Sequence, residues 1–337
     1  MKYQPPYTIT QEILNRVAAI SEAVGRLTVL ADHSRTLRLR RINRIRTIHG
    51  SLAIEGNSLS EAQITAILDG KRVIAPPREV QEVKNALAAY DRFDTWKPSS
   101  EKDLLEAHRI LMSGLIDEAG IYRCGGVGVM AGPQVIHMAP PAGRVPQLMD
   151  DLFGWLAATD AHPLIAGSVF HYEFEFIHPF ADGNGRMGRL WQSLILARWN
   201  PLFTDVPVES LIFEHQAEYY QALQESTRQT DSEPFIAFML RMILDVILTP
   251  TPEVTPDVTP EVRLLSAFDG EMTRQQLKAV LGLKDDEHFR KTYLLPALEA
   301  GLIAMTIPEK PRSSRQKYRL TDKGRLQLAN IHPSLPY

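Results

Sequence analysis

Four Thr-Pro steps crowd residues 249–260, and no other feature limits the possible folds so sharply. Each proline locks its own φ, withholds a backbone N–H and pushes the preceding residue out of the helical region. Such a density forbids a helix and a central strand alike, so the segment must be an extended linker. It separates a large N-terminal part from a small C-terminal one, and 337 residues suffice for two or three domains.

Upstream of the linker the apolar periodicity is helical. Ile13, Val17, Ile20, Val24 and Leu27 recur at three- and four-residue spacing and predict a helix over 9–30. Leu39, Ile42, Ile45 and Ile48 predict a second over 35–48. Arg35, Arg38, Arg40, Arg41, Arg44 and Arg46 crowd that segment without one acid. They read as a solvated face with interhelical ion pairs, or, more sharply, as a surface for an acidic partner. Ser60-Glu61-Ala62-Gln63 has the form of a capping box. Helical patterns continue over 79–96 and 101–115, along Leu148, Leu152 and Trp155, over 165–176, along Leu190, Trp191, Leu194 and Ile195, and over 213–223 and 234–248. Only 125–138 interrupts them. There Val127, Val129, Val135 and Ile136 flank Ala131-Gly132-Pro133-Gln134, a β-hairpin pattern. The expected fold class is mainly α.

Beyond the linker, short helices are expected over 262–268 and 273–280, with Thr273 as N-cap, and a longer one over 285–300. Strands are expected over 303–307 and 316–320. Residues 304–325 hold seven Lys/Arg against two Asp/Glu. Three helices and a basic hairpin resemble a winged helix-turn-helix, a class used for DNA and for protein contacts. A formal net charge of -3 does not suggest a protein that coats nucleic acid or membrane along its whole length. Cys124, the sole cysteine, permits no intrachain disulfide and fits a reducing compartment. Residues 1–6 lack an apolar signal core, and no uninterrupted apolar run approaches ~20 residues. A soluble cytoplasmic protein without a membrane partner is the expectation.

The chemistry concentrates in His178-Pro179-Phe180-Ala181-Asp182-Gly183-Asn184-Gly185-Arg186-Met187-Gly188-Arg189. A glycine-rich turn frees backbone N–H groups to face an anion, and the helix that follows adds its positive end. Arg186 and Arg189 can clamp phosphate oxygens bidentately. Asp182 can hold a divalent cation together with phosphates and water. His178 is available as a general base. Gly183-x-Gly185-x-x-Gly188 also fits the dinucleotide fingerprint, but Pro179 stands where the required strand would finish and no alternating strands and helices surround it. Neither a P-loop nor a His-Glu-x-x-His zinc site occurs.

This segment closely resembles the Fic (fido) signature His-Pro-Phe-x-Asp/Glu-Gly-Asn-Gly/Lys-Arg-x-x-Arg, with every specified position filled. The resemblance covers roughly 51–248. It implies a helical bundle with a β-hairpin flap, and Ile121-Tyr122-Arg123 is similar to the family's approach to that flap. The domains expected are an N-terminal helical region (1–100), a Fic catalytic domain (101–248), the linker (249–260) and a winged-helix-like domain (261–337). Ser51-Leu52-Ala53-Ile54-Glu55-Gly56-Asn57 looks like the family's inhibitory motif, although a glutamate beside a glycine also fits an ordinary helix end. The resemblance makes Ser51, Glu55, Gly56 and Asn57 inhibitory, with Glu55 drawing Arg189 away from the γ-phosphate.

The implied activity is transfer of AMP from ATP to a Ser, Thr or Tyr hydroxyl of a protein, the chain itself included. His178 would take the hydroxyl proton and Asp182 would bind Mg²⁺ or Mn²⁺ carried with ATP. Gly183, Asn184, Gly185, Arg186, Met187, Gly188 and Arg189 would line the nucleotide, with Tyr219 and Tyr220 near the adenine. A target protein would dock on the flap, 125–138, by strand addition. A homodimer and DNA bound through the C-terminal domain are further partners the resemblance leaves open. So are AMP removal, transfer of other groups on the same scaffold, and a DNA-binding regulator that uses the Fic domain as a ligand sensor.

Overall fold

The computed structural model describes residues 3–30, 33–131, 134–248, 264–281, 283, 285, 289–310, 313 and 316–325. The chain forms two compact units, Met1–Thr249 and Pro250–Tyr337. The proline-rich segment, the hairpin tip at 132–133 and the start of the helix expected over 262–268 lie outside the described residues; 264–266 are helical.

The first unit runs α1 (Gln11–Leu30), α2 (His33–Ile54), α3 (Glu61–Leu68), α4 (Pro77–Arg92), α5 (Glu101–Leu111), a hairpin of β1 (Gly128–Ala131) and β2 (Gln134–Met138), α6 (Val145–Ala158), α7 (Pro163–Ile177), α8 (Asn184–Trp199), α9 (Val208–Glu214), α10 (Gln216–Gln229) and α11 (Glu233–Leu248). The fold is mainly α, as expected. α7 is apolar on nearly every side and buried along its length, which makes it the axis of the bundle. Pro163 opens it, where a missing N–H costs nothing, and the His162 ring accepts from the Leu164 N–H at 3.2 Å. α8 folds back along α7, α1 lies on α11, and α2 lies on α9. A methyl group at Gly50 would meet the Glu209 backbone at 2.6 Å, so only glycine lets α2 approach α9 this closely. One continuous apolar core joins Ile13, Ile48, Phe170, Phe174, Phe180, Trp191 and Phe235.

The arginines of α2 whose side chains are described pair with acids on other elements: Arg40 with Asp205, Arg41 with Asp69, Arg44 with Asp91 and Arg46 with Glu61. That is the ion-paired face, not a bare surface. Residues 213–223 form no single helix. His215 leaves the helical region at φ −110°, ψ 31°, which ends α9 at Glu214. Its Nδ1 lies 2.8 Å from Glu218 Oε1, within the first turn of α10. The capping box at Ser60 is complete in both directions.

In the second unit a helix covers Arg274–Leu281, with the Thr273 hydroxyl accepting from the Gln276 N–H at 3.3 Å. Of the longer helix expected over 285–300, residues 286–288 lie outside the described residues, and the rest includes a π turn over Arg290–Leu294 followed by α structure over Leu295–Glu299. Pro296, which has no N–H to donate to the preceding turn, follows the wide stretch. β4 (Ile303–Met305) and β5 (Lys317–Leu320) pair as expected, and β3 (Met272–Thr273) adds a strand the periodicity had not suggested, giving the antiparallel order β3-β5-β4. Leu264, Leu277, Phe289, Leu302 and Tyr318 form its own core.

Candidate functional site: an anion cradle beside a histidine

α7 ends at His178, whose backbone turns left-handed at φ 50°, ψ 62° while its N–H still donates to Phe174 O at 2.8 Å. Pro179 then prevents any further helix. The loop is anchored by Phe180, fully buried and stacked on the His108 ring at 3.6 Å and 4°. Asn184 brackets the same residue: its Oδ1 accepts from the Phe180 N–H and its Nδ2 donates to the Phe180 carbonyl, both at 2.9 Å. His108 is a second support. The Gly120 N–H donates to its Nδ1 at 2.8 Å, so Nε2 carries the proton and donates to the Asp182 carbonyl at 3.0 Å. Burial lowers the His108 pKa to about 4, which keeps that neutral tautomer.

Gly183, at φ 83°, makes the turn into α8. The first intrahelical bond of α8 runs from Met187 N to Gly183 O at 3.0 Å. The amides of Asn184, Gly185 and Arg186 therefore sit at the positive helix end, ahead of that ladder. A methyl group built on Gly185 would stand 2.3 Å from Glu55 Oε1, so a carboxylate of the chain itself faces this helix end.

Glu55 arrives there because α2 ends at Ile54 and Gly56, at φ 89°, closes the helix: the Asn57 N–H donates to Leu52 O at 3.1 Å and the Gly56 N–H to Ala53 O at 3.0 Å. The segment is thus a helix end that also carries Glu55 to the start of α8. Glu55 Oε1 accepts from Arg189 Nη2 at 2.7 Å, and Arg189 also donates to the Ser51 carbonyl (2.9 Å) and hydroxyl (3.2 Å). The Arg189 side chain is 1% exposed and that of Glu55 35%. Burial opposes the guanidinium charge most strongly, yet Glu55, Tyr219 and Glu175 together outweigh it and hold Arg189 above its ordinary pKa. Asn57 donates to Glu82 Oε2 on α4 at 2.8 Å, and Gln216 of α10 donates to the Ile54 carbonyl at 2.8 Å. The motif is therefore tied to two further helices.

Arg186 is also engaged, 3.5 Å from Glu82 Oε1 and 3.2 Å from Asp182 Oδ1. Asp182 Oδ2 pairs with Arg78 of α4 at 3.2 Å. Among the described residues no cluster of three or more metal-type ligands exists. A single, half-exposed carboxylate at the mouth of a phosphate cradle suits Mg²⁺ or Mn²⁺ that brings its other ligands as phosphates and water. It does not suit an ion held by protein alone.

Tyr219 and Tyr220 part company. Tyr219 is buried, and its hydroxyl donates to His171 Nε2 at 3.2 Å while His171 Nδ1 donates to Gln192 Oε1 at 2.6 Å. Tyr220 is half-buried and meets the Tyr219 ring edge-on at 5.3 Å, leaving it the more accessible of the two. Met187 points into the core, and a methyl group on Gly188 would meet His171 Cδ2 at 2.6 Å and Glu175 Oε1 at 2.9 Å. Gly188 serves the contact of α8 with α7, and the Met187 side chain lies in the core.

Sequence reasoning missed His108, Glu82, Arg78 and Glu175. Glu175 is buried, with Oε2 3.8 Å from His178 Nδ1, and burial raises its pKa to about 8. The weak signal for His108 was its place on the apolar face formed by Leu104, Ala107 and Leu111.

Fold and site together define a helical protein whose anion cradle opens beside a histidine. Residues 98–196 match the Fic/DOC family model, and residues 260–321 match that of the Filamentation induced by cAMP protein Fic-like, C-terminal domain. A Fic family protein from Desulfovibrio desulfuricans G20, known as a crystal structure, is 53% identical and aligns over 96% of this chain and 99% of its own, with a TM-score of 0.75. The chain belongs to the Fic family. Fic-1 from C. elegans is 26% identical over 70% of each chain, with a TM-score of 0.59. Proteins named protein adenylyltransferase Fic from Culex quinquefasciatus and Aedes aegypti are 32% and 31% identical over 225 and 230 residues, each match covering 62% of this chain. The chain spans 43% of the length of these curated relatives. No described helix is long and apolar enough to cross a membrane.

Proposed function

We propose that this chain is a protein adenylyltransferase held in check by Glu55. The observation that carries the reading is the 2.7 Å pair of Arg189 with Glu55, a carboxylate of the chain itself facing the helix end that suits a phosphate. In transfer, a Ser, Thr or Tyr hydroxyl oxygen attacks the α-phosphorus of ATP, the bond from that phosphorus to the bridging oxygen breaks, and pyrophosphate leaves. His178 accepts the hydroxyl proton. The amides at the start of α8 stabilise the charge that grows on the α-phosphate oxygens. Arg186 and Arg189 hold the outer phosphates once released from Glu82 and Glu55. Mg²⁺ or Mn²⁺ at Asp182 would neutralise phosphate charge. Tyr220 borders the nucleotide, and the target segment adds as a strand to the β1–β2 hairpin. The names borne by the curated relatives support the reaction class.

The test is labelled ATP with the wild type, Glu55→Gly and His178→Ala, read by the mass of the adduct. Glu55→Gly should label itself faster than wild type, and His178→Ala should not label. Labelling by His178→Ala at the parent rate would refute the base. An adduct of another mass, or loss of AMP from a modified protein, would indicate a different chemistry on the same scaffold. In the second unit, β5 carries Lys317 and Arg319. Salt-dependent binding of a DNA duplex would make that unit a DNA contact, and its absence would leave a protein-contact role.

A further inference from the structure

Arg123 is buried just before the hairpin, and its guanidinium donates to four backbone carbonyls. Its Nε donates to His178 O at 2.7 Å, and its Nη2 to Ile177 O at 3.2 Å. Its Nη1 donates to Gly125 O at 2.8 Å, on the leg entering β1. Nη2 also donates to Pro140 O at 2.6 Å, on the leg leaving β2. The Arg123 N–H donates in addition to Pro179 O at 3.0 Å. One planar group therefore grips the end of α7 and both legs of the hairpin.

We infer that Arg123 is a positioning residue that locks the hairpin and the histidine-bearing loop into one rigid body, and so sets where a docked hydroxyl stands relative to His178. The inference rests on the reading of His178 as base and of the hairpin as docking strand. Three physical points carry it. The guanidinium offers five donors in a fixed fork, so carbonyls bound to it are held in a common plane, which an ammonium on a flexible stem cannot do. Ile177 and His178 supply carbonyls at the end of a helix, where acceptors are left over and a cation is favoured. His178 has a left-handed backbone, a conformation disfavoured for any residue with a Cβ, and it persists only where its surroundings hold it. Main-chain pairing to a strand fixes a peptide's register on the hairpin alone. Proton transfer needs the hydroxyl within hydrogen-bond reach of the imidazole, so the hairpin itself must be fixed to that loop.

Arg123→Met keeps much of the volume and removes every donor, while Arg123→Lys keeps the charge. Both are made in the Glu55→Gly background and compared by hydrogen exchange and by steady-state self-labelling. In Arg123→Met, amides of 124–140 and of 176–184 should exchange faster together, by about tenfold or more, with 187–196 of α8 unchanged. kcat should fall by roughly 100-fold, with KM for ATP within about threefold of the parent. Arg123→Lys should recover part of kcat. Faster exchange in only one of the two segments would overturn the coupling. So would faster exchange throughout α8, or KM rising in step with the loss of kcat, since either marks a merely structural role. Two segments that loosen together in a protein that never transfers AMP would uphold the coupling and sink the adenylyltransferase reading instead.

Discussion

Replacing Glu55 by Gln should tighten ATP binding by roughly 10- to 100-fold, and the size follows from the burial of its partner. The two charges meet at 2.7 Å between donor and acceptor atoms, with the Arg189 side chain 1% and the Glu55 side chain 35% exposed. A pair of unit charges about 4 Å apart attracts by about 4 kcal/mol at an effective dielectric of 20. Because one partner is a third open to solvent, screening reduces this to ~2 kcal/mol. That interaction must be surrendered before a phosphate can take Arg189, and at 1.4 kcal/mol per factor of ten ~2 kcal/mol is close to 30-fold. Gln keeps the shape and can still accept one hydrogen bond, but it no longer brings the competing charge. The same change strips a buried guanidinium of its closest carboxylate, leaving Ser51 and the more distant Glu175, so the unliganded protein should lose about 1–3 kcal/mol of stability. Calorimetric titration with ATP and Mg²⁺ reads the first effect, and thermal melts with and without ATP read the second. The expected pattern is a lower Tm alone and a larger upward shift with nucleotide. An affinity within threefold of wild type would refute the competition.

Two further outcomes follow from packing and burial. Gly188→Ala forces a methyl group against His171 and Glu175, both buried, and should cost about 1–3 kcal/mol by overpacking; an unchanged Tm would show that α7 and α8 have room to part. Burial raises Glu173 and Glu209 to about 7 and Glu175 to about 8, so the folded chain retains protons that the unfolded chain loses near pH 4.5. Burial lowers His108 to about 4 and His171 to about 3, so in the unfolded chain these two together hold at most about one proton at pH 6.5 and almost none by pH 8. Between about pH 6.5 and 8 the glutamates dominate, and stability should fall as pH rises because the folded state binds more protons. Urea denaturation at both pH values checks this, Glu175→Gln should flatten the decline, and stability that rises over the interval would contradict it.

What could be read in advance was whatever lies close together along the chain. The stretch His178 to Arg189 declared its chemistry because a glycine turn, a helix start and two arginines three apart are local features, and Pro179 marked the end of α7. The pairing of Arg189 with Glu55 spans 134 positions, and no local rule connects them. It was legible only through the family resemblance. Arg78, Glu82 and Glu175 read as ordinary charges on helices, since their meaning depends on α4 and α7 bringing them against the loop. Gly188 was read as part of a nucleotide turn, but the close approach of His171 is what requires a residue without a side chain there. β3 is two residues long, too short for any alternation to show, and only its partner β5 defines it.

The charges of this site are satisfied from within, and they differ in how firmly. Arg78 is 59% exposed where it meets Asp182, so that pair is screened and contributes about 0–1 kcal/mol. In the proposed reading, a metal ion arriving with ATP would meet little resistance there. Arg186 is 5% exposed but shares its charge between Asp182 and Glu82 at 3.2 and 3.5 Å, both longer than the 2.7 Å bond of Arg189 to Glu55. Only Arg189 combines burial with a short bond to a single carboxylate, and it is also the arginine that Ser51 fixes twice. In the proposed reading, resistance to ATP would therefore be concentrated at one contact and would not spread over the cradle. A force that withdraws the end of α2, on which Glu55 sits, would remove most of it at once. Asn57 bound to Glu82 and Gln216 bound to the Ile54 carbonyl place the points where such a force could enter on α4 and α10.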